Sequence, residues 1–218
     1  MSQLKIEMQQ RWNNNATSYD NAEAHGINNP WAIKRWKGLF SNKCGETLLD
    51  VGCGTGFVTV LAAQAGLAVT ALDWSESMMA QAKEKVRAAH MSVTFVQGDI
   101  DALPFKDDTF QNVSARHVIW TLTDPMTSFK EWYRVLRPGG TLLADYSPRK
   151  GAIVACHYSL EIEKQLPFNK DIPSATIVNM LEEAGFGAVH VDERSHTHPK
   201  TATEEESIHT IYQFTATK

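Results

Sequence analysis

Residues 50–57 read DVGCGTGF, with three glycines at alternate positions, directly after an apolar run and directly before a helical one. At Gly52, Gly54 and Gly56 the backbone can turn sharply and approach a ligand with no Cβ in the way. The helix N-terminus that follows supplies amide donors and the positive end of a dipole. The loop therefore calls for an anionic or strongly polar group above it. A dinucleotide fingerprint would place glycine sixth, and counted from Gly52 the sixth residue is Phe57. A Walker loop also fails, because no Lys-Ser or Lys-Thr pair follows. A second constellation lies in SARHVIWTLTDP, residues 114–125. Arg116 could bind a carboxylate, and His117 could take a proton from a substrate near neutral pH. The alternative is structural: Arg116 pairs with Asp124 or Asp145, and His117 closes a backbone hydrogen bond. Trp120 packs in the core or lines a substrate pocket.

These residues need strand ends and helix starts to hold them. From residue 47 short β-branched runs alternate with helical periods, the pattern of a mostly parallel sheet covered on both faces. The spacing predicts strands at 47–51, 68–73, 92–97, 110–115 and 140–145, with two later strands near 188–193 and 208–216. Ser75 can cap a helix in which Met78, Ala82 and Val86 share a face. Asp124 followed by Pro125 is an N-cap with proline in the first helical position, and RPGG at 137–140 turns that helix into the next strand. Ser174 opens another helix, and Gly185 stands where a left-handed cap is wanted.

Residues 1–46 differ. They read as two or three Trp-rich helices with a polar break at Asn13 to Asn15, forming either a lid over a small-molecule pocket or a helical cap on a sheet edge. Trp12 and His25 lie in this segment, and His157 and Tyr158 lie after the fifth strand; all four, with Trp120, are candidates to contact a substrate. The 218 residues carry a formal charge of −4, which argues against a nucleic acid as the main partner. Cys44, Cys53 and Cys156 form neither a CxxC pair nor a zinc-ligand spacing, so no metal site is expected and a reducing cytoplasm fits. No apolar run approaches the roughly 20 residues of a membrane span, and the N-terminus lacks a signal core. Oligomeric state has no signature in the sequence.

The stretch LLDVGCGTG, residues 48–56, resembles the first motif of class I S-adenosylmethionine-dependent methyltransferases, and further motifs follow in order. The resemblance implies an α/β, Rossmann-like, doubly wound seven-stranded sheet, mostly parallel with an antiparallel last strand, plus an N-terminal helical lid. It implies one domain over 1–218, with a lid at 1–46, a cofactor-binding core at 47–146 and a substrate region with the terminal strands at 147–218. Asp73 matches the acidic residue that such enzymes use on the ribose hydroxyls, and Trp74 beside it is either a wall for the adenine or edge packing. In QGDIDALPF, Asp99 would accept from the adenine amino group and Ile100 would contact the ring. Asp50 reads as a carboxylate that orients the loop, and it joins Gly52, Cys53, Gly54, Gly56 and Met78 around the S-adenosyl-L-methionine site. Tyr19 and Asp20 resemble a Tyr-Asp pair ahead of the first motif, with Tyr19 placed to cover the methionine end. Arg116 could meet the carboxylate of the cofactor or of a substrate.

Methyl transfer from a sulfonium is an in-line displacement that requires alignment and, for a protonated acceptor, removal of a proton. ARHVIW stands where adenine-directed or glutamine-directed enzymes carry an Asn/Asp-Pro-Pro-Tyr-like motif. No cysteine has the Pro-Cys context of cytosine C5 chemistry. The expectation is a small organic acceptor methylated at N, O, S or C. A cofactor-binding sensor or subunit without turnover is the alternative, and a nucleotide-dependent dehydrogenase is a weaker one.

Overall fold

The structure, a computed structural model, describes residues 2–21, 30–148, 158–198 and 207–218. Its strands are β1 (Thr47–Val51), β2 (Ala68–Asp73), β3 (Thr94–Gln97), β4 (Phe110–Ala115), β5 (Leu136–Tyr146), β6 (Gly187–His198) and β7 (Ser207–Thr217). They form one seven-stranded sheet in the order β3-β2-β1-β4-β5-β7-β6. Strands β1 to β5 pair in parallel, whereas β7 runs antiparallel to both β5 and β6. The chain winds outward from β1 through β2 to β3, then returns to place β4 on the other side of β1. A crevice opens at such a switch point, above the carboxyl ends of the strands.

The helices are α1 (Gln3–Asn15), α2 (Pro30–Phe40), α3 (Phe57–Gln64), α4 (Glu76–Ala88), α5 (Pro125–Val135), α6 (Leu160–Gln165) and α7 (Ser174–Glu183). On one face of the sheet α2 and α3 bury Trp36, Phe40, Phe57 and Leu61 against Leu48 and Leu143. Phe129 and Trp132 of α5 and Ile177 and Leu181 of α7 pack with Leu49, Val113 and Phe214 in the largest cluster. Burial of large apolar side chains on both faces is the main drive holding the sheet between its helices.

The helix ends follow from their residues. The Ser75 hydroxyl accepts from the Met78 amide at 3.2 Å, and Asp124 accepts from the Thr127 amide at 3.1 Å ahead of Pro125. Gly185 has φ +112°, a left-handed conformation that glycine adopts without penalty. Some expected boundaries move. Ser174 is the first residue of α7 and makes no side-chain cap, since Pro173 occupies the N-cap position. β3 begins at Thr94 rather than residue 92. α5 runs directly into β5, which starts at Leu136 rather than Gly140, and the extra residues are absorbed by a register shift opposite Phe110 and Asn112. The expected break at Asn13 to Asn15 is the last turn of α1. Asn13 turns its side chain outward to accept from the Ser75 hydroxyl at 2.7 Å instead of competing for its own backbone.

Candidate active site

β1 ends at Val51 and the glycine loop carries the chain into α3. The three glycines meet two demands. A Cβ on Gly52 would lie 2.6 Å from Val118 Cγ2, and one on Gly56 would lie 2.8 Å from the Ala82 Cβ of α4, so both allow close packing. Gly54 has φ +53° and open space where its Cβ would be, so that side of the loop is free for a ligand. The loop is tied to the end of β2: Cys53 N–H donates to the Leu72 carbonyl at 2.9 Å, and Gly54 N–H donates to Asp73 Oδ2 at 2.8 Å. Asp73 Oδ1 accepts from the Ser75 amide at 2.8 Å. Burial pushes the Asp73 carboxyl up to about 6, against the pull of these backbone amides. Each of its oxygens keeps a lone pair for a further donor.

Asp50 is used internally. It accepts from the Thr59 hydroxyl at 2.6 Å and from the Ser114 hydroxyl at 2.8 Å. These bonds brace the glycine loop between α3 and β4, and burial pushes this carboxyl up to about 6 as well.

A cleft of ≈ 570 Å³ opens over the loop. Its lining includes Gly52, Gly54 and Asp73 on the floor, Trp74, Met78 and Ile100 along one side, Arg116 and His117 on the other, and Trp12 and Tyr19 above. A smaller recess of ≈ 300 Å³ adjoins it and adds Asp50 and Cys53. Gly56 packs against α4 and is not among the lining residues of either cleft. Asp99 is not among the lining residues of either cleft, and Lys5 of α1 bonds it at 2.7 Å and Asp101 at 2.6 Å. Burial alone would lower the Lys5 ammonium, but the two carboxylates outweigh it and raise it. Trp120 and Tyr158 stand behind Trp12, with ring centroids 6.1 and 5.9 Å from it, and Trp12 Nε1 donates to the Tyr158 hydroxyl at 2.6 Å. His25 and His157 lie outside the described residues.

Phe57, the residue that breaks the dinucleotide spacing, has a task of its own. The Arg116 guanidinium carbon lies 4.0 Å above its ring, a contact in which the ring face attracts the cation. Burial lowers Arg116 from the ordinary arginine value, and the nearby Asp145 carboxylate opposes that shift. His117 has φ +56°, uncommon outside glycine. Its backbone N–H donates to Asp145 Oδ1 at 2.6 Å, so the main chain makes this hydrogen bond while the residue still borders the cleft. Burial pushes the Tyr19 hydroxyl up to about 12, with Arg116 opposing, so it remains a neutral phenol at physiological pH. Next to it, Asp20 accepts from the Thr55 hydroxyl at 2.6 Å and pairs with Lys85, which also donates to the Thr55 carbonyl at 2.8 Å. The turn Tyr19–Asn21 is thereby pinned onto the glycine loop.

Sequence reasoning passed over Val118, Thr121, Lys5 and the contact between Asp145 and His117. The available signal for Asp145 was an acidic residue closing an apolar strand. No short motif contains Lys5 together with its partners. Among the described residues no group of three or more His, Cys, Asp or Glu is placed to hold a metal ion, and no helix is long and apolar enough to cross a membrane.

A glycine loop at the switch point of such a sheet, facing a carboxylate at the end of β2, defines a nucleoside-binding α/β fold. The chain belongs to the class I S-adenosylmethionine-dependent methyltransferases, whose cofactor is S-adenosylmethionine, and the dehydrogenase alternative falls with that assignment. A family described as a methyltransferase domain matches residues 49–144. The ubiquinone/menaquinone biosynthesis C-methyltransferase UbiE of Escherichia coli O1:K1 / APEC is 32% identical over 176 residues, covering 66% of this chain and 68% of that protein. The protein of the same name from Roseobacter denitrificans is 37% identical over 124 residues, covering 54% of this chain and 48% of the relative, so the match spans about half the relative's length. A solved Haemonchus contortus phosphoethanolamine N-methyltransferase 2, in complex with phosphomonomethylethanolamine and S-adenosylhomocysteine, shares the fold. Its TM-score is 0.68 at 22% identity, over 87% of this chain and 53% of that one.

Proposed function

We propose that this chain transfers the methyl group of S-adenosylmethionine to a small organic acceptor whose reacting atom carries a proton. The carrying observation is that one cleft holds both a ligand-ready floor and a proton acceptor: Asp73 and the open side of Gly54 below, His117 beside them. The floor fits the cofactor, since the free lone pairs of Asp73 suit a vicinal diol and Ile100 with Met78 suits a flat ring. In this reading Asp73 takes the ribose hydroxyls, Trp74, Met78 and Ile100 flank the adenine, and Asp99, next in the chain to Ile100, takes its amino group. Arg116, cushioned on Phe57, binds a carboxylate of cofactor or acceptor, while Tyr19 closes the methionine end as a hydrogen-bond donor. Asp50 and Cys53 act from beneath the loop. S-adenosylmethionine supplies an electrophilic methyl group. The protein's part is to align the acceptor, to exclude water beneath α1, and to receive the acceptor's proton on His117.

Trp12, backed by Trp120 and Tyr158, supports an acceptor with an apolar or aromatic body. The C-methylation in the relatives' names makes quinol-like compounds the first to test, and the net charge of −4 favours a small acceptor over a nucleic acid. Cysteine usage fits work in the cytoplasm. The test is turnover of methyl-labelled S-adenosylmethionine with a panel of quinols, phenols, amines and thiols, read as label in product and release of S-adenosylhomocysteine. Label transferred to one class supports the proposal. Cofactor binding with no product across the panel overturns it in favour of a sensor.

A further inference from the structure

We propose that Asp145 is the positioning residue for His117, holding its backbone in the left-handed turn and orienting its ring, so that the acceptor's proton is taken by the nitrogen farther from the carboxylate. The inference rests on His117 receiving that proton. Asp145 is wholly buried on β5, and the β4–β5 register, which pairs Ala115 with Ala144, brings it beside the chain leaving β4. Its Oδ1 accepts the His117 N–H at 2.6 Å and lies 3.6 Å from His117 Nδ1. The first contact offsets the cost of φ +56°. The second is longer than a hydrogen bond and close enough for the carboxylate charge to act directly on the ring. A carboxylate on the Nδ1 side favours the tautomer with the proton there, leaving Nε2 as the acceptor.

The remaining charges around this pair are arranged in layers. Asp145 Oδ2 has no hydrogen-bond partner among the described residues and faces Arg35 Nη1 of α2 at 3.7 Å. Arg35 is itself held by Gln213 of β7 and lies over the Trp31 ring. Arg116, Tyr19 and Asp73 share the cleft with His117, and Asp20 lies beyond Tyr19. Arg35 thus tempers the Asp145 charge from behind, while Asp145 acts on His117 from the front. In the reaction the acceptor's proton passes to His117 Nε2, and the acceptor's electron pair forms the bond to the methyl carbon. The carbon–sulfur bond breaks, with its pair retained by sulfur.

The experiment compares pH profiles of kcat/KM for the wild type, Asp145→Asn, His117→Gln and the double variant, with S-adenosylhomocysteine affinity as a control. Asparagine at 145 keeps an acceptor for the His117 N–H and removes the charge. The acidic limb should then move down by about one pH unit, as expected on losing an opposite charge within contact range, while affinity changes less than about threefold. In the His117→Gln background the same substitution should add less than about twofold loss, because its effect passes through the missing ring. A uniform loss at every pH with an unmoved limb, or fully multiplicative losses in the double variant, overturns the role of Asp145. Wild-type turnover in His117→Gln alone overturns the base assignment, and this proposal with it. If Asp145→Asn does not fold, Arg35→Met is decisive: the limb should rise, since the Asp145 charge is then less compensated, and an unmoved limb overturns the proposal.

Discussion

Asp73 is under two opposed demands. Burial lifts its carboxyl from the ordinary 3.8 to about 6, and Asp50 behaves alike. A carboxyl raised in the folded state contributes stability below its unfolded value that is lost as pH rises through about 6. At pH 7 each ionised carboxylate therefore opposes folding. A ligand that donates hydrogen bonds to the ionised Asp73 offsets part of that cost. The expected consequence is that S-adenosylhomocysteine binds more weakly as pH falls below about 6, because Asp73 must then lose a proton to bind. Titration calorimetry from pH 7.5 to 5 should show that slope in the wild type and its loss in Asp73→Asn. Equal slopes in both would assign it to another group. The placement of Asp73 and the glycine loop was legible because it is local, set by strand end, spacing and order. That a Cβ at Gly52 would meet Val118 and one at Gly56 would meet Ala82, whereas Gly54 faces open space, was not legible, since Val118 and Ala82 come from other elements.

Helix α1 buries only Met8 completely, packs Leu4 and Trp12 partly buried in the same small apolar cluster, and adds several polar contacts over the cleft. Lys5 reaches Asp99 and Asp101, Gln9 donates to the Trp74 carbonyl at 2.6 Å, and Asn13 accepts from Ser75. An element held this way opens at lower cost than the strands beneath it. The amides of Gln3–Asn15 should exchange with deuterium well before those of β1 and β4 in the ligand-free protein, and S-adenosylhomocysteine should slow them at least tenfold. Protection equal to that of β1 without ligand would show that α1 is a fixed cap. The sequence left this segment as either a lid over a pocket or a cap on a sheet edge, and it put a break at Asn13 to Asn15 where α1 makes its last turn. Their helical propensity is poor, and the Ser75 contact that compensates lies 62 residues away.

Across the whole molecule, function follows from strand order. Reversal of the winding at β1 and β4 puts the glycine loop, Asp73, Arg116 and His117 at one end of the sheet. Alternating strands and helices made that topology readable from the chain. The Asp145–His117 contact was not readable, because it depends on the register of two parallel strands whose residues lie 28 apart. The aromatic group behind the cleft was only half legible: Trp12 and Tyr158 stood out as aromatic residues, but their hydrogen bond joins residues 146 apart. The central claim is that this end of the sheet is a cofactor site. It is tested most directly by calorimetric titration of the whole chain with S-adenosylhomocysteine, alongside NADH. The account predicts one saturable site for S-adenosylhomocysteine, weakened at least tenfold in Asp73→Ala, and no heat from NADH. A flat titration of folded protein with S-adenosylhomocysteine would contradict it.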